Sequence, residues 1–309
     1  MTFGSGDLTA FSGFTAKGTN TVTSTGGGDI LIKGRTNNGF MNSHGHTGVN
    51  ITGDYKILYD NNSLHDVRNN MAITAANIIY SVSNRTYDFW TTSTDSTVTF
   101  TGNLQISNST TTLNTQETGR EPTQTFTVSG DTTLDGTLIG NSTEISLGSL
   151  TIESGATYSA TSGTTTITKN TGATGGVAFY THTSGTFTHN SGLMKFTSAD
   201  ADTNVVGQSV TKNPFYDLEA TSTYEPKEAN ETTVLNNATF ANNVTFQDSA
   251  RYIKVLGICR FLSGEYNRNN NSTNANHFFG TLIIEGGTFE LAPMEITVGS
   301  FRNLGGTIS

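Results

Sequence analysis

Thr97-Val-Thr-Phe-Thr-Gly-Asn-Leu-Gln-Ile106 and Thr125-Phe-Thr-Val-Ser-Gly-Asp-Thr-Thr-Leu134 follow one pattern. Apolar side chains (Val98 and Phe100, then Phe126 and Val128) alternate with threonine. A Gly-Asn or Gly-Asp break follows, and a second short apolar segment resumes at Leu104 or Leu134. Strict alternation is the signature of a strand with one buried face and one wet face. The same texture returns in Glu144-Ile-Ser-Leu-Gly-Ser-Leu-Thr-Ile152, Gly163-Thr-Thr-Thr-Ile-Thr168 and Gly185-Thr-Phe-Thr-His-Asn190. It returns again in Asn237-Ala-Thr-Phe-Ala-Asn-Asn-Val-Thr-Phe246 and Gly280-Thr-Leu-Ile-Ile-Glu-Gly-Gly-Thr-Phe289, on a period of roughly twenty residues. No such unit can bury its apolar face alone. Stacked as rungs, the units make one continuous narrow core, which is the logic of a β-solenoid.

Composition agrees with that shape. Of 309 residues, 33% are hydrophobic and 13% charged, while threonine occurs 57 times and glycine 34. A thin stem exposes several positions for each one that it buries, so a low apolar fraction still fills its interior. Threonine and valine are stiff at Cβ and suit a pleated surface, and equivalent Thr or Asn side chains can bond between rungs. Helical bundles are excluded by the scarcity of strong helix formers, and collagen by the aperiodic glycine and only 4 prolines. Membrane insertion is excluded because no stretch approaches about 18 consecutive apolar residues. The net charge of −9 disfavours a nucleic-acid partner, since nothing concentrates Lys and Arg for phosphates.

Texture divides the chain near residue 95. Residues 1–95 carry longer, more aromatic segments: Asp29-Ile-Leu-Ile-Lys33, Asp54-Tyr-Lys-Ile-Leu-Tyr59 and Thr86-Tyr-Asp-Phe-Trp90. Polar connections separate them, and a β-sandwich-like or capping domain is expected there, with the solenoid over 96–309. Met71-Ala-Ile-Thr-Ala-Ala-Asn-Ile-Ile-Tyr80 reads equally as a short helix or a strand. The competing all-β architectures are a row of small antiparallel sandwiches or a β-prism shared by three chains.

Several residues invite chemistry. His44-Gly-His46 would present two imidazoles on one side of a strand, with Asp54 or His65 as a third metal ligand. The neighbouring Gly39, Gly45 and Gly48 also fit a polar loop whose histidines bind nothing. Asp200 and Asp202 are co-facial if extended, and Asp131 with Asp135 forms a weaker pair. A polysaccharide-cleaving β-helix would need such carboxylates, although solvated Asp/Asn turns look the same. Tyr87 and Trp90 lie on one aromatic segment where alternation puts Tyr87 and Phe89 on one face and Asp88 and Trp90 on the other. One face is expected in the core, and the other offers a stacking platform for sugar rings. His182, His189 and His277 read as rung-surface residues, and Cys259, among apolar neighbours, as a buried inert thiol. No Gly-x-Ser-x-Gly elbow or phosphate-cradling loop occurs, and no cofactor is expected.

The stretch Gly185-Thr-Phe-Thr-His-Asn-Ser-Gly-Leu-Met-Lys-Phe-Thr197, followed by Pro214-Phe-Tyr-Asp-Leu-Glu219, resembles repeats of long bacterial surface proteins and phage structural proteins. Val234-Leu-Asn-Asn-Ala-Thr-Phe240 and Gly286-Gly-Thr-Phe289 continue the likeness, which covers residues 180–309. It implies β-helical stalks, fibres and virion appendages, and carries no catalytic residues. The leading expectation is therefore a non-enzymatic phage virion protein: a tail fibre, tail-associated subunit or capsid-decorating appendage. Met1-Thr-Phe-Gly-Ser-Gly6 lacks the basic and apolar regions of a secretory signal, so synthesis in the host cytoplasm is expected before incorporation into a particle. Its partners would be other virion proteins or copies of itself, as in a homotrimer, with host-surface polysaccharide as a further contact. A bacterial adhesin or stalk segment and a β-helical depolymerase are the alternatives.

Overall fold

The structure, a computed structural model, describes residues 2–3, 8–10, 21–24, 26–33, 47–59, 64–66, 70–90, 97–116, 124–168, 177–181, 184–197, 203–206, 214–226, 231–246, 252–268, 276–291 and 295–309. Those residues form strands and turns, with no helix among them. The chain is a parallel β-solenoid. Its pairings run parallel from Thr2–Phe3 through the strands Thr97–Ile106 and Thr125–Leu134 to Glu295–Asn303 and Thr307–Ile308. Parallel neighbours need a long crossover, and one turn of the coil supplies it. Glu144 lies 19 residues after its partner Thr125, whereas Leu193 lies 29 after Thr164. Turn length therefore varies, and register slips by a residue at bends such as Thr101–Asn103 and Val128–Asp131, yet the inward positions on each side stay aligned from rung to rung.

Each central turn has three sides. Long strands such as Asn70–Tyr80, Thr97–Ile106, Thr125–Leu134 and Glu144–Ile152 cover two of them; the last three bend at Gly102, Gly130 and Gly148, and Asn70–Tyr80 at Ala75–Asn77. Short strands make the third, a separate six-stranded sheet containing Arg85–Trp90, Thr111–Asn114, Thr137–Ile139, Thr157–Ser159 and Thr186–Thr188. The bend requires glycine for a steric reason. A Cβ on Gly102, at φ +129°, would stand 1.9 Å from the Ala75 carbonyl oxygen, and one on Gly130 would stand 2.3 Å from that of Gly102. Backbones of adjacent turns touch at this corner, and only hydrogen fits between them.

The interior is a set of register columns. One runs Met71, Val98, Phe126, Ile145, Thr165, Met194, Leu218, Ala238, Cys259 and Leu282, one residue per turn, all buried. A second runs Ile73, Phe100, Val128, Leu147, Ile167, Phe196, Ala220, Phe240, Phe261 and Ile284. Aromatic rings interlock across the hollow. Phe126 meets Phe100 at 5.4 Å edge-on and Phe89 at 5.6 Å, an arrangement that suits the ring quadrupoles. The buried Tyr158 hydroxyl is satisfied by Thr165 Oγ1 at 2.7 Å.

The described residues before 95 do not confirm the sandwich expected there. Ile30 pairs with Tyr55, Tyr55 with Ile78 and Ile78 with Leu104, all parallel, so the described strands on both sides of residue 95 belong to one ladder. The denser aromatics there (Tyr55, Tyr80, Tyr87, Phe89) fill the same interior. Asn70–Tyr80, open between helix and strand, is a strand whose alternating burial breaks at Ala75–Asn77. Its β-branched residues pack against Val98, Phe100 and their neighbours in the next turn.

Candidate functional site

The most ordered polar feature is a ladder along the first corner. The Asp54 backbone N–H donates to Asp29 Oδ1 at 2.8 Å, the Asn77 amide to Asp54 Oδ1 at 2.8 Å, and the Asn103 amide to Asn77 Oδ1 at 3.2 Å. The Asp131 backbone N–H then donates to Asn103 Oδ1 at 2.9 Å, and Ser149 Oγ to Asp131 Oδ1 at 2.9 Å. Each of these turns contributes one short polar side chain at the bend, preceded by glycine except at Asn77, which follows Ala76, so these groups fall in line. Lys56 Nζ sits 2.8 Å from Asp29 and 3.0 Å from Asp54. Its hydrogen bond, joined by that of the Asp54 N–H, holds the Asp29 carboxyl below its ordinary pKa, and Asp29 in turn raises that of Lys56. An acid kept ionised in this way fastens turns together and is a poor proton donor. A shorter ladder marks another corner, where the Asn114 amide donates to Asp88 Oδ1 at 2.7 Å. Burial pushes the Asp88 carboxyl up, and that hydrogen bond partly offsets it.

The sequence-derived candidates scatter. His44 and His46 lie outside the described residues, as do Asp200, Asp202 and His182. His65 stands in the strand Leu64–Asp66 opposite Phe89, with its side chain outside the described part, and Asp54 is engaged in the corner ladder. Among the described residues no group of three or more His, Cys, Asp or Glu is placed to hold a metal ion. Asp131 accepts from Ser149, while Asp135 is exposed in the following turn. Tyr87 is 0% exposed and packs edge-on against Tyr80 at 5.1 Å, so the Tyr87/Phe89 face is core and Tyr87 cannot stack on a sugar. Trp90 ends the strand Arg85–Trp90, and its side chain lies outside the described part. Cys259 is buried between Ala238 and Leu282, and burial pushes its thiol pKa well up, the inert thiol expected.

His277 corrects the surface reading of the histidines. It is fully buried, and its Nδ1 accepts from the Tyr266 hydroxyl at 2.8 Å and the Ile253 N–H at 3.3 Å. Its inward position follows from the alternation of Asn276–Ile284, because His277 shares the parity of buried Phe279. An Asn-rich approach hid that parity. His189 does lie at the surface, where it stacks on Tyr216 at 5.5 Å, and its Nδ1 accepts the Ser191 N–H at 2.9 Å. Asn190 and Ser191 adopt left-handed backbone (φ 47° and 60°) to carry the turn past this ring pair. The sequence signal was Tyr216 next to Phe215, two successive aromatics of which alternation must expose one.

The last described turn is more exposed than the one before it. Phe301 occupies the place beyond Leu282 in the first register column, yet it is 47% exposed where Leu282 is 2%. Ile296 and Val298 pack against the core from one side only, and with Ile284, Phe289 and Ile308 they line an open apolar trough of about 200 Å³.

The fold thus defines the class: a parallel β-solenoid with closely bonded outer corners. No protein-family model, curated protein or solved structure matches the chain.

Proposed function

We propose that this protein is a non-enzymatic structural stem of a phage virion, as a tail fibre, tail-associated subunit or capsid-decorating appendage. The supporting observation is the unbroken registration of the interior columns from Met71 to Leu282. Each turn adds about 4.8 Å along the axis, so the nine steps of that column alone extend about 43 Å. Backbone ladders, stacked rings and Asp/Asn corner bonds all run along this axis and oppose bending. Such a body holds its two ends at a fixed distance, which is the task of a stem. Its Thr/Asn/Ser exterior stays soluble without high charge density, and the half-buried surface pair of His189 with Tyr216 suits contact with host-surface glycans.

The test is composition of particles. Particles purified from a culture expressing the gene, washed in high salt and analysed by mass spectrometry and immunogold microscopy, should carry this chain in fixed copy number on tail or capsid. Finding it only on cell surfaces would favour the adhesin reading, and finding it in neither place would refute the proposal.

A further inference from the structure

One corner of the coil carries aromatic and aliphatic side chains on its outside. His189 and Tyr216 stack across adjacent turns with ring centroids 5.5 Å apart. The following turns continue from there: the Asn236 N–H donates to the Tyr216 carbonyl at 2.8 Å, and the Gly257 N–H to the Asn236 carbonyl at 2.8 Å. Leu256 and Ile258 flank that glycine and are 45% and 37% exposed. Imidazole, phenol, amide and aliphatic groups thus succeed one another along the axis, a run of about 14 Å over three steps at the spacing of neighbouring strands. The interior beside this corner is already filled by Phe187, Phe215, Val234 and Val255. Exposed apolar side chains aligned in this way mark a contact site rather than core.

Polar atoms along the corner are set for a ligand. The Ser191 N–H donates to His189 Nδ1 at 2.9 Å, so the neutral imidazole keeps its own proton on Nε2. That N–H and the Tyr216 hydroxyl make no hydrogen bond among the described residues. Both rings are half-buried, so each keeps part of its surface in water beside those groups. The Asn236 amide and the Asn237 N–H, both at 2.9 Å, hold the Asp217 carboxylate next to Tyr216. Charge along the corner is balanced: Lys195 pairs with Glu219 at 2.7 Å, Arg260 pairs with Glu285, and Lys254 offsets Asp217.

We infer that this corner is a binding track for a neutral, linear hexopyranose chain laid along the stem axis. The apolar faces of pyranose rings match half-exposed aromatic and aliphatic side chains. Their hydroxyls match a donor at His189 Nε2 and a donor–acceptor at the Tyr216 oxygen. A balanced field has nothing to concentrate phosphate, sulfate or carboxylate groups, which sets acidic glycans and nucleic acid aside. A folded protein partner would need a far wider surface than one corner offers. The inference rests on the glycan contact proposed above and not on assembly into a particle.

Isothermal titration of the full chain with cellohexaose, mannohexaose and maltohexaose, and with hexagalacturonate as the acidic comparison, tests it. At least one neutral hexaose should bind saturably and more tightly than hexagalacturonate. Tyr216→Ala should weaken that binding about tenfold or more, since ring contact and hydroxyl bond are lost together. Leu256→Asn should weaken it about threefold at an unchanged melting temperature, whereas Thr99→Asn, on the outer face of another side, should leave it unchanged. Leu256→Asn alters one exposed side chain, so it carries the test even if Tyr216→Ala fails to fold. No binding to any neutral hexaose, preference for hexagalacturonate, undiminished binding in Leu256→Asn, or an equal loss in Thr99→Asn would each overturn the inference. None of these results bears on whether particles carry the chain, so the two proposals fail separately.

Discussion

Phe126 and Phe301 occupy the same register column and differ in burial, so truncating each in turn isolates what the stacked interior contributes. Phe126 is 0% exposed, lies between Val98 and Ile145 in adjacent turns, and touches the rings of Phe89 and Phe100. Phe126→Ala removes a complete ring from an enclosed site that neighbouring turns cannot close without breaking register. The expected loss is about 3–5 kcal/mol. Phe301 is 47% exposed, and its removal leaves no enclosed cavity, so Phe301→Ala should cost about 1 kcal/mol. Urea unfolding followed by circular dichroism, with hydrogen exchange to localise the change, reads the difference. Opening in the Phe126 variant should concentrate in the turns around Thr97–Ile106 and Glu144–Ile152, because stacked repeats couple mainly to their neighbours. Equal costs at the two positions, or loss of protection at the far end of the chain, would refute the columnar core.

Parallel registration can be trapped chemically. Thr99 and Thr127 are register partners on the outer face, so T99C/T127C should form a disulfide under mild oxidation, while T99C with Cys at Thr125 should not. Gly130→Ala should be strongly destabilising, because the new methyl would meet the Gly102 carbonyl oxygen at 2.3 Å, and melting temperature reads this directly. The Asp29–Lys56 pair predicts sensitivity at both pH extremes. The depressed Asp29 pKa means that its contribution is present above the unfolded carboxylate value and is lost as pH falls through the folded one. The raised Lys56 pKa means that its share is present below the unfolded value and is lost as pH rises through the folded one. Asp29→Asn should flatten the acid limb of melting temperature against pH, and an unchanged limb would place the effect elsewhere.

The solenoid was legible because its strand pattern is local: Thr97–Ile106 and Thr125–Leu134 carry the same alternation and the same break, and the structure places them side by side. The extent of the solenoid was not. Tyr55, Tyr87 and Phe89 made residues 1–95 look like a different domain, yet a wide ring and a small aliphatic chain can occupy equivalent inward positions when the opposite wall compensates. Leu113 and Leu138 follow Tyr87 in register on the same side, which shows the substitution directly. Tyr87 and His277 turn on a related point: Tyr87 has the chemistry of a sugar platform, but parity decides whether a side chain meets water and puts it in the core. His277 lies inward for the same reason, its phase set by Phe279 beneath an Asn-rich approach.

Register here is maintained without a fixed period. Turns of 19 and 29 residues coexist, so counting residues cannot be what aligns the columns. Two local devices can. A glycine at bends such as Gly102, Gly130 and Gly148 allows backbones of adjacent turns to touch, and a polar side chain at the bend bonds to the equivalent position one turn away, as Asn103 does to Asn77. A one-residue slip would bring a Cβ into a carbonyl and separate the ladder, as well as turning every apolar side chain outward. Loops between these fixed points can then lengthen with little effect on the core, since closure entropy grows slowly with length. The same rule extends to Gly257, Gly280 and Gly299, which repeat the close approach at the second corner with Cβ positions 2.2, 2.1 and 2.6 Å from the preceding turn's carbonyl oxygen.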